Sequence, residues 1–102
     1  MAYKVGTQTI GSGTQALNTA AIASGAASVI ITTAVTGVLS TDNLLADFNA
    51  DPTGVTGYTP SVNGVLSIIK FCTAGHINFY AVNNTSASIT PGAITLNWRV
   101  VR

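Results

Sequence analysis

Two segments near the end of the chain alternate between apolar and polar side chains. In residues 76–83, one register carries Ile77, Phe79 and Ala81. In residues 93–102, one register carries Ile94, Leu96, Trp98 and Val100. A period of two predicts β-strands with one face turned inward, and the single Trp is expected to fill much of a small core. The intervening segment is mostly polar and ends in Pro-Gly, so the two strands are predicted to form a β-hairpin with a long loop.

Further strands are predicted upstream of this hairpin. The apolar run at residues 65–72 leads into it, and residues 14–23, 28–35 and 38–48 also favour strands, the second of them because it is β-branched. A long polar connection covers residues 51–64, and connections of this length are often functional. About seven short strands, with turns about every 8–12 residues, predict a single-domain, all-β antiparallel sandwich of the jelly-roll or immunoglobulin-like kind.

The N-terminal residues are β-prone, with Tyr3 and Val5 in one register, and a Gly-Ser-Gly triplet follows at residues 11–13. We interpret the triplet as a hinge, which divides the chain into an arm or edge strand at 1–13 and a sandwich domain at 14–102. Such an arm can add a strand to a neighbouring subunit. The alternative is a frayed terminus.

The composition favours a protein that works inside an assembly. Charged residues make up 7% of the chain, against a usual ~25% for soluble domains, and there is no Glu. A soluble monomer normally stays dispersed through its charge. The alternative is that the many hydroxyl and amide groups solvate the surface well enough.

Net charge and targeting signals further limit the classes of partner that we expect. The formal net charge is +1 and no polybasic run exists, so neither nucleic acid nor a membrane is an expected partner. The N-terminus lacks the apolar region of a signal peptide, and the one cysteine, Cys72, excludes an internal disulfide. These features are typical of a protein made in a reducing cytoplasm.

Candidate metal ligands are few. Asp47, Asn49 and Asp51 have the spacing of the first half of a calcium loop, but Pro52 stands where the turn glycine is needed and Tyr58 where the bidentate Glu would be. The pattern favours instead a turn that Asn49 and Asp51 stabilise by hydrogen bonds to the local backbone.

Catalytic chemistry has little support either. His76 has no second His near it, and Cys72 lies in an apolar strand as a small hydrophobe does. Nucleophilic catalysis needs a base beside the nucleophile and an acid beside the base, and the sequence holds no such motif. We therefore expect no enzymatic activity, no metal and no cofactor.

The aromatic side chains leave one binding hypothesis open. Most of them follow the strand period and are expected in the core, whereas Tyr58 and Tyr80 could face outward. A carbohydrate site would need such an exposed aromatic patch.

Residues 28–102 carry a loose pattern of strands and turns that resembles a known class of protein. The pattern comprises a β-branched run ending in a turn at 29–37, Thr41-Asp42, Tyr58-Thr59-Pro60, Asn83-Asn84-Thr85 and a final Leu-Asn-Trp-Arg-Val-Val-Arg at 96–102. It is similar to small β-sandwich virion proteins of tailed bacteriophages, which are capsid decoration (cement) proteins and fibre-associated domains.

The resemblance implies a structural role. It implies a sandwich, often trimeric, that is made in the host cytoplasm, sits on the capsid surface of the virion, and binds both itself and a major capsid protein to bridge capsomers. The alternative is a tail-fibre or head-fibre component, or a receptor- or carbohydrate-binding sandwich. Since the pattern is one of strands, it assigns no site residue. From the strand registers and charges we expect the subunit or shell contacts among Tyr3, Val5, Tyr58, Tyr80, Val82, Arg99 and Arg102.

Overall fold

The computed structural model describes residues 8–62 and 64–102, and within them the chain is all-β, as predicted. The strands are β1 Thr9–Ala16, β2 Ile31–Ala34, β3 Asn43–Phe48, β4 Ser67–Thr73, β5 His76–Val82 and β6 Thr95–Val101. They form two antiparallel sheets of three strands. The first sheet has the order β1-β6-β3 and the second sheet the order β2-β5-β4. The described chain thus has six strands rather than about seven, and β5 and β6 are the central strands.

The predicted hairpin between the last two long strands is wrong, because β5 and β6 lie in different sheets. Each has one apolar face, and the two faces meet in a shared core instead of pairing side by side. Phe79 of β5 and Val100 of β6 are both fully buried in that core. The hairpin partner of β5 is β4, through the turn at Ala74 and Gly75. The predicted inward registers are therefore confirmed, and only their pairing is not.

A second core cluster lies beneath the long connection. It contains Ile22, Tyr58, Leu66, Ala81 and Ile94, all buried. The connection is thus fixed to the domain by its own apolar side chains.

The strand predicted at residues 14–23 is largely absent. Only its first residues belong to β1, and its later part makes a single bridge, from Ile22 to Ile89. The segment is rich in Ala and lacks a sustained apolar register, and Gly25 turns the chain with a φ of 76°. Few side chains are therefore available to hold it against a sheet.

The Gly-Ser-Gly triplet does not act as a hinge in the structure. Residues 11–13 lie inside β1, an edge strand that pairs with β6 from Thr9 to Ala16. The expected arm thus belongs, from Gln8 onward, to the domain itself. Its first seven residues, with Tyr3 and Val5, lie outside the described residues.

Candidate interaction surface

The second sheet turns an apolar surface away from the core. Inward side chains on β4 and β5 alternate with an outward set, whose polar members are Ser67, Thr73, His76 and Asn78 and whose apolar members are Ile69, Phe71, Tyr80 and Val82. We call these four apolar residues the apolar face. Ile69 and Phe71 are each 39% exposed, and Ile69 lies directly across from Tyr80 in the strand register. Ile30, just before β2, adds a further side chain that is 50% exposed.

The polar group inside this surface is satisfied by its own neighbours. Asn78 is 4% exposed, and its Oδ1 accepts a hydrogen bond of 2.9 Å from the Thr32 hydroxyl. Its Nδ2 donates to the Thr73 hydroxyl at 3.1 Å and to the Phe71 carbonyl at 3.3 Å. The amide is thus fully used within the sheet. The apolar face offers contact area and shape, but no free charge or nucleophile.

The outward surface of the first sheet is different in kind. Its side chains are mostly polar or charged: Ser12, Thr14, Asp47, Asn97 and Arg99, with Leu45 the one large apolar group among them. The outward side of the second sheet also carries the exposed Ser67, Thr73 and His76, so the two outward surfaces differ in how many apolar side chains they hold. Since a solvated surface is normally polar, the apolar face is the unusual part of the two.

Of the residues expected to make contacts, Tyr80 and Val82 lie in the apolar face and Arg99 lies exposed on the opposite surface. The guanidinium of Arg102 is hydrogen-bonded within the chain. Its Nε and one terminal nitrogen each donate to the carboxylate of Asp42 at 2.8 Å, and that nitrogen also donates to the Gly37 carbonyl at 3.0 Å. This bidentate pair, with a hydrogen bond from the Leu39 amide, lowers the pKa of Asp42. Arg102 therefore joins the end of β6 to the turn before β3.

Tyr58 does not reach the surface. It is 6% exposed and meets Phe48 edge to face, with ring centroids 5.7 Å apart. Burial raises the pKa of its hydroxyl, which has no hydrogen-bond partner among the described residues. The expectation that Tyr58 faces outward fails because the long connection folds over its own apolar side chains.

The candidate metal and catalytic groups are dispersed. Asp51 accepts hydrogen bonds from the Thr53 amide at 2.9 Å and the Thr53 hydroxyl at 2.7 Å, which is the part of the predicted turn that was assigned to Asp51. The Cys72 thiol is buried, and burial, with the negative charge of Asp42, raises its pKa. Within residues 8–62 and 64–102, no three His, Cys, Asp or Glu side chains come together as metal ligands would.

A cleft of about 270 Å³ lies between the long connection and the loop before β6, and Thr59, Ser61, Thr85 and Ser86 are among its lining residues. None of its described lining residues is titratable. Acid–base chemistry needs such groups within hydrogen-bond reach of a substrate.

The sequence held one signal for the apolar face that the strand patterns did not use. Residues 66–72 carry apolar side chains on both registers, with Ile68 and Cys72 beside Lys70 on one, and Ile69 and Phe71 beside Ser67 on the other. A strand with apolar side chains on both faces normally has both faces packed against other parts of a protein. The structure covers only the inner side and leaves Ile69 and Phe71 partly exposed on the outer side.

No protein-family model, curated protein or solved structure matches the chain. In the part of the chain that the structure describes, no helix is long and apolar enough to cross a membrane.

Proposed function

We propose that this chain is a non-enzymatic structural protein of a virion, a capsid decoration protein that assembles with itself, as a trimer, and attaches to the outside of a phage shell. Under this proposal its two sheets form a β-sandwich that stabilises contacts between capsomers. The observation that carries the proposal is the apolar face of the second sheet, which is uncharged and open.

The chemistry of this face favours protein association over other roles. Ile69 and Phe71 each leave 39% of their surface in water, next to the half-buried Tyr80 and Val82. Clustered aromatic and aliphatic side chains of this kind mark protein interfaces. When a partner covers these side chains, each Å² of apolar surface removed from water stabilises the complex by ~25 cal/mol. The apolar face therefore contributes more to stability when a second protein covers it than when water does.

The low charge supports the same proposal. Of the seven charged side chains in the sequence, Asp42 and Arg102 neutralise one another. A domain so poor in free charge has little to keep it dispersed, and its stability gains from assembly by mass action.

Under this proposal, the outward surface of the first sheet contacts the capsid shell. Arg99 is exposed there and has no carboxylate partner among the described residues, and Ser12, Thr14 and Asn97 lie beside it. A polar surface with one free guanidinium fits an acidic or amide-rich site on a shell protein.

Two measurements test the proposal on the full chain. Light scattering after size exclusion gives the solution mass, and co-sedimentation with capsid shells assembled without this chain gives attachment. Ile69→Lys places a charge in the apolar face, and Leu45→Lys, at a residue that is 47% exposed on the opposite surface, is the matched control. We expect wild type and the control to be trimers and Ile69→Lys to be a folded monomer.

A wild-type chain that is monomeric and does not sediment with shells would overturn the proposal. Binding of the same chain to a host polysaccharide would favour the fibre or receptor-binding alternative instead.

A further inference from the structure

We propose that the apolar face is covered by the N-terminal segment of a neighbouring copy, residues 1–7, with Tyr3 and Val5 packed against Ile69 and Phe71. This inference rests on the proposed function, because it requires the chain to assemble with itself.

The edges of the second sheet are poor acceptors for another strand, which leaves its face as the surface to be covered. At one edge, β2 has only four residues. At the other, β4 carries Lys70 in the inward register, directly across from Phe79. Short edge strands and inward-pointing charges are the usual protection against strand addition.

The N-terminal segment has the composition that the face requires. Tyr3 and Val5 share one register, and Lys4 lies in the other, so an extended segment presents one apolar and one charged side. The face is uncharged, and its exposed Phe71 can pack edge to face with a tyrosine ring. At ~3.3 Å per residue, seven extended residues span about 23 Å, the length of the seven-residue strands β4 and β5.

Reach along the backbone decides between the same chain and a neighbour. Gln8 is fixed to the first sheet, since it exchanges backbone hydrogen bonds of 3.2 and 2.9 Å with Arg102. In the proposed sandwich, the usual sheet spacing of ~10 Å plus a layer of side chains puts the outer side of the second sheet about 15 Å from the backbone of the first sheet. Val5 lies three residues from Gln8 and reaches about 10 Å. By this estimate Val5 falls short of the apolar face of its own copy, and we therefore assign the segment to the face of a neighbouring copy, for which the distance from Gln8 sets no limit.

A segment on one copy that binds a face on the next makes a head-to-tail contact. Such contacts form rings when the rotation closes and filaments when it does not. The proposed trimer is the closed form of this contact, with each copy giving one segment and receiving another.

Photo-cross-linking of the full chain tests the contact directly. Tyr3 is replaced by a benzophenone amino acid, and light and heavy isotope-labelled chains are mixed before irradiation. We expect cross-links from position 3 to the peptide that contains Ile69 and Phe71, joining light to heavy chains. Cross-links only within one chain, or to the surface that carries Leu45, would overturn the inference.

Association measurements give an independent check. Tyr3→Ser and Phe71→Ser should each weaken association by roughly tenfold or more, the size expected for losing a buried aromatic anchor. Since both remove the same contact, the double variant should be little worse than either single variant. Lys4→Ser, in the other register, is the control and should leave the association constant unchanged.

The failure of this inference is distinguishable from failure of the proposed function. A trimer that persists in Tyr3→Ser and cross-links elsewhere overturns the occupant and leaves the structural role in place. A wild-type chain that is monomeric at all concentrations overturns both.

Discussion

Trp98 lies so close over Gly13 that a Cβ atom on the glycine would be 2.9 Å from Cζ2 of the indole. Gly13 and Trp98 face each other in the register of β1 and β6, whereas a Cβ at Gly11 would first meet the Val35 side chain, at 3.0 Å, and would lie 3.6 Å from the indole. The indole ring of Trp98, the largest side chain of the protein, thus packs directly on the backbone of β1. This relationship explains why Gly13 stands in the middle of a strand, where a glycine otherwise costs stability.

Gly13→Val should therefore destabilise the fold, although Val is a far better strand former than Gly. The added methyl groups would meet the indole ring, and overpacking of this kind costs about 1–3 kcal/mol. Urea unfolding followed by Trp98 fluorescence measures the loss. Ser12→Val, one residue away on the outward side, is the control and should leave the stability unchanged or slightly higher. Equal or greater stability in Gly13→Val would contradict the packing argument.

The alternation of Ile77 and Phe79, and of Leu96 and Val100, was enough to predict strands and their buried side, because burial of one face imposes a period of two. It could not predict which strands pair. That choice depends on packing across the core, a contact between distant parts of the chain. The Gly-Ser-Gly triplet was misinterpreted for the same reason, since the neighbour that requires it, Trp98, is 85 positions away from Gly13 in the sequence.

The candidate surface was also predictable only in part. Tyr80 and Val82 were expected to face outward, and they do, because they alternate with buried neighbours. Tyr58 has no strand period around it, so only the folded connection reveals that it is buried. The role of Arg102 depends on Asp42, 60 positions earlier, and no local pattern joins the two.

Asn83 should be a second sensitive position. It is fully buried, and its Nδ2 donates to the carbonyls of Ile22 and Ala87 at 2.8 and 2.9 Å. Its Oδ1 accepts from the Thr85 amide and hydroxyl at 3.0 and 2.6 Å. Asn83→Ala would leave these buried groups unpaired, so the free energy of unfolding should fall by about 3 kcal/mol.

The matched control for this position is its neighbour. Asn84→Ala changes an exposed amide in the same loop and should alter the free energy of unfolding by less than about 0.5 kcal/mol. Chemical denaturation of both variants makes the comparison. If the two substitutions cost the same, the buried amide is not what holds the loop before β6.

Acid should weaken the fold through Asp42. The pKa of this carboxyl is lowered from 3.8, first by its hydrogen bonds from Arg102 and then by the bond from the Leu39 amide. The folded state thus binds the proton less tightly than the unfolded state, so the pair's stabilisation is present above pH 3.8 and is lost as pH falls through the lower, folded-state pKa. Thermal melting between about pH 5 and pH 2 follows this loss.

Asp42→Asn should make the melting temperature depend less on pH across that range. Asp47→Asn is the control, because Asp47 is exposed and has no cationic partner among the described residues. An acid dependence that Asp42→Asn leaves unchanged would show that other groups govern it.

Tyr58→Phe should stabilise the protein. The hydroxyl is buried without a partner among the described residues, so removing it should raise the free energy of unfolding by about 1 kcal/mol. The edge-to-face contact with Phe48 remains.

Because burial raises the pKa of Tyr58 above 10.0, wild-type stability should fall as pH rises past that value, where the unfolded tyrosine ionises and the folded one does not. Denaturant unfolding at neutral and alkaline pH measures both effects. Tyr80→Phe, at a half-buried tyrosine of the apolar face, should give no comparable gain, and a loss of stability in Tyr58→Phe would mean that a water molecule or another group satisfies the hydroxyl.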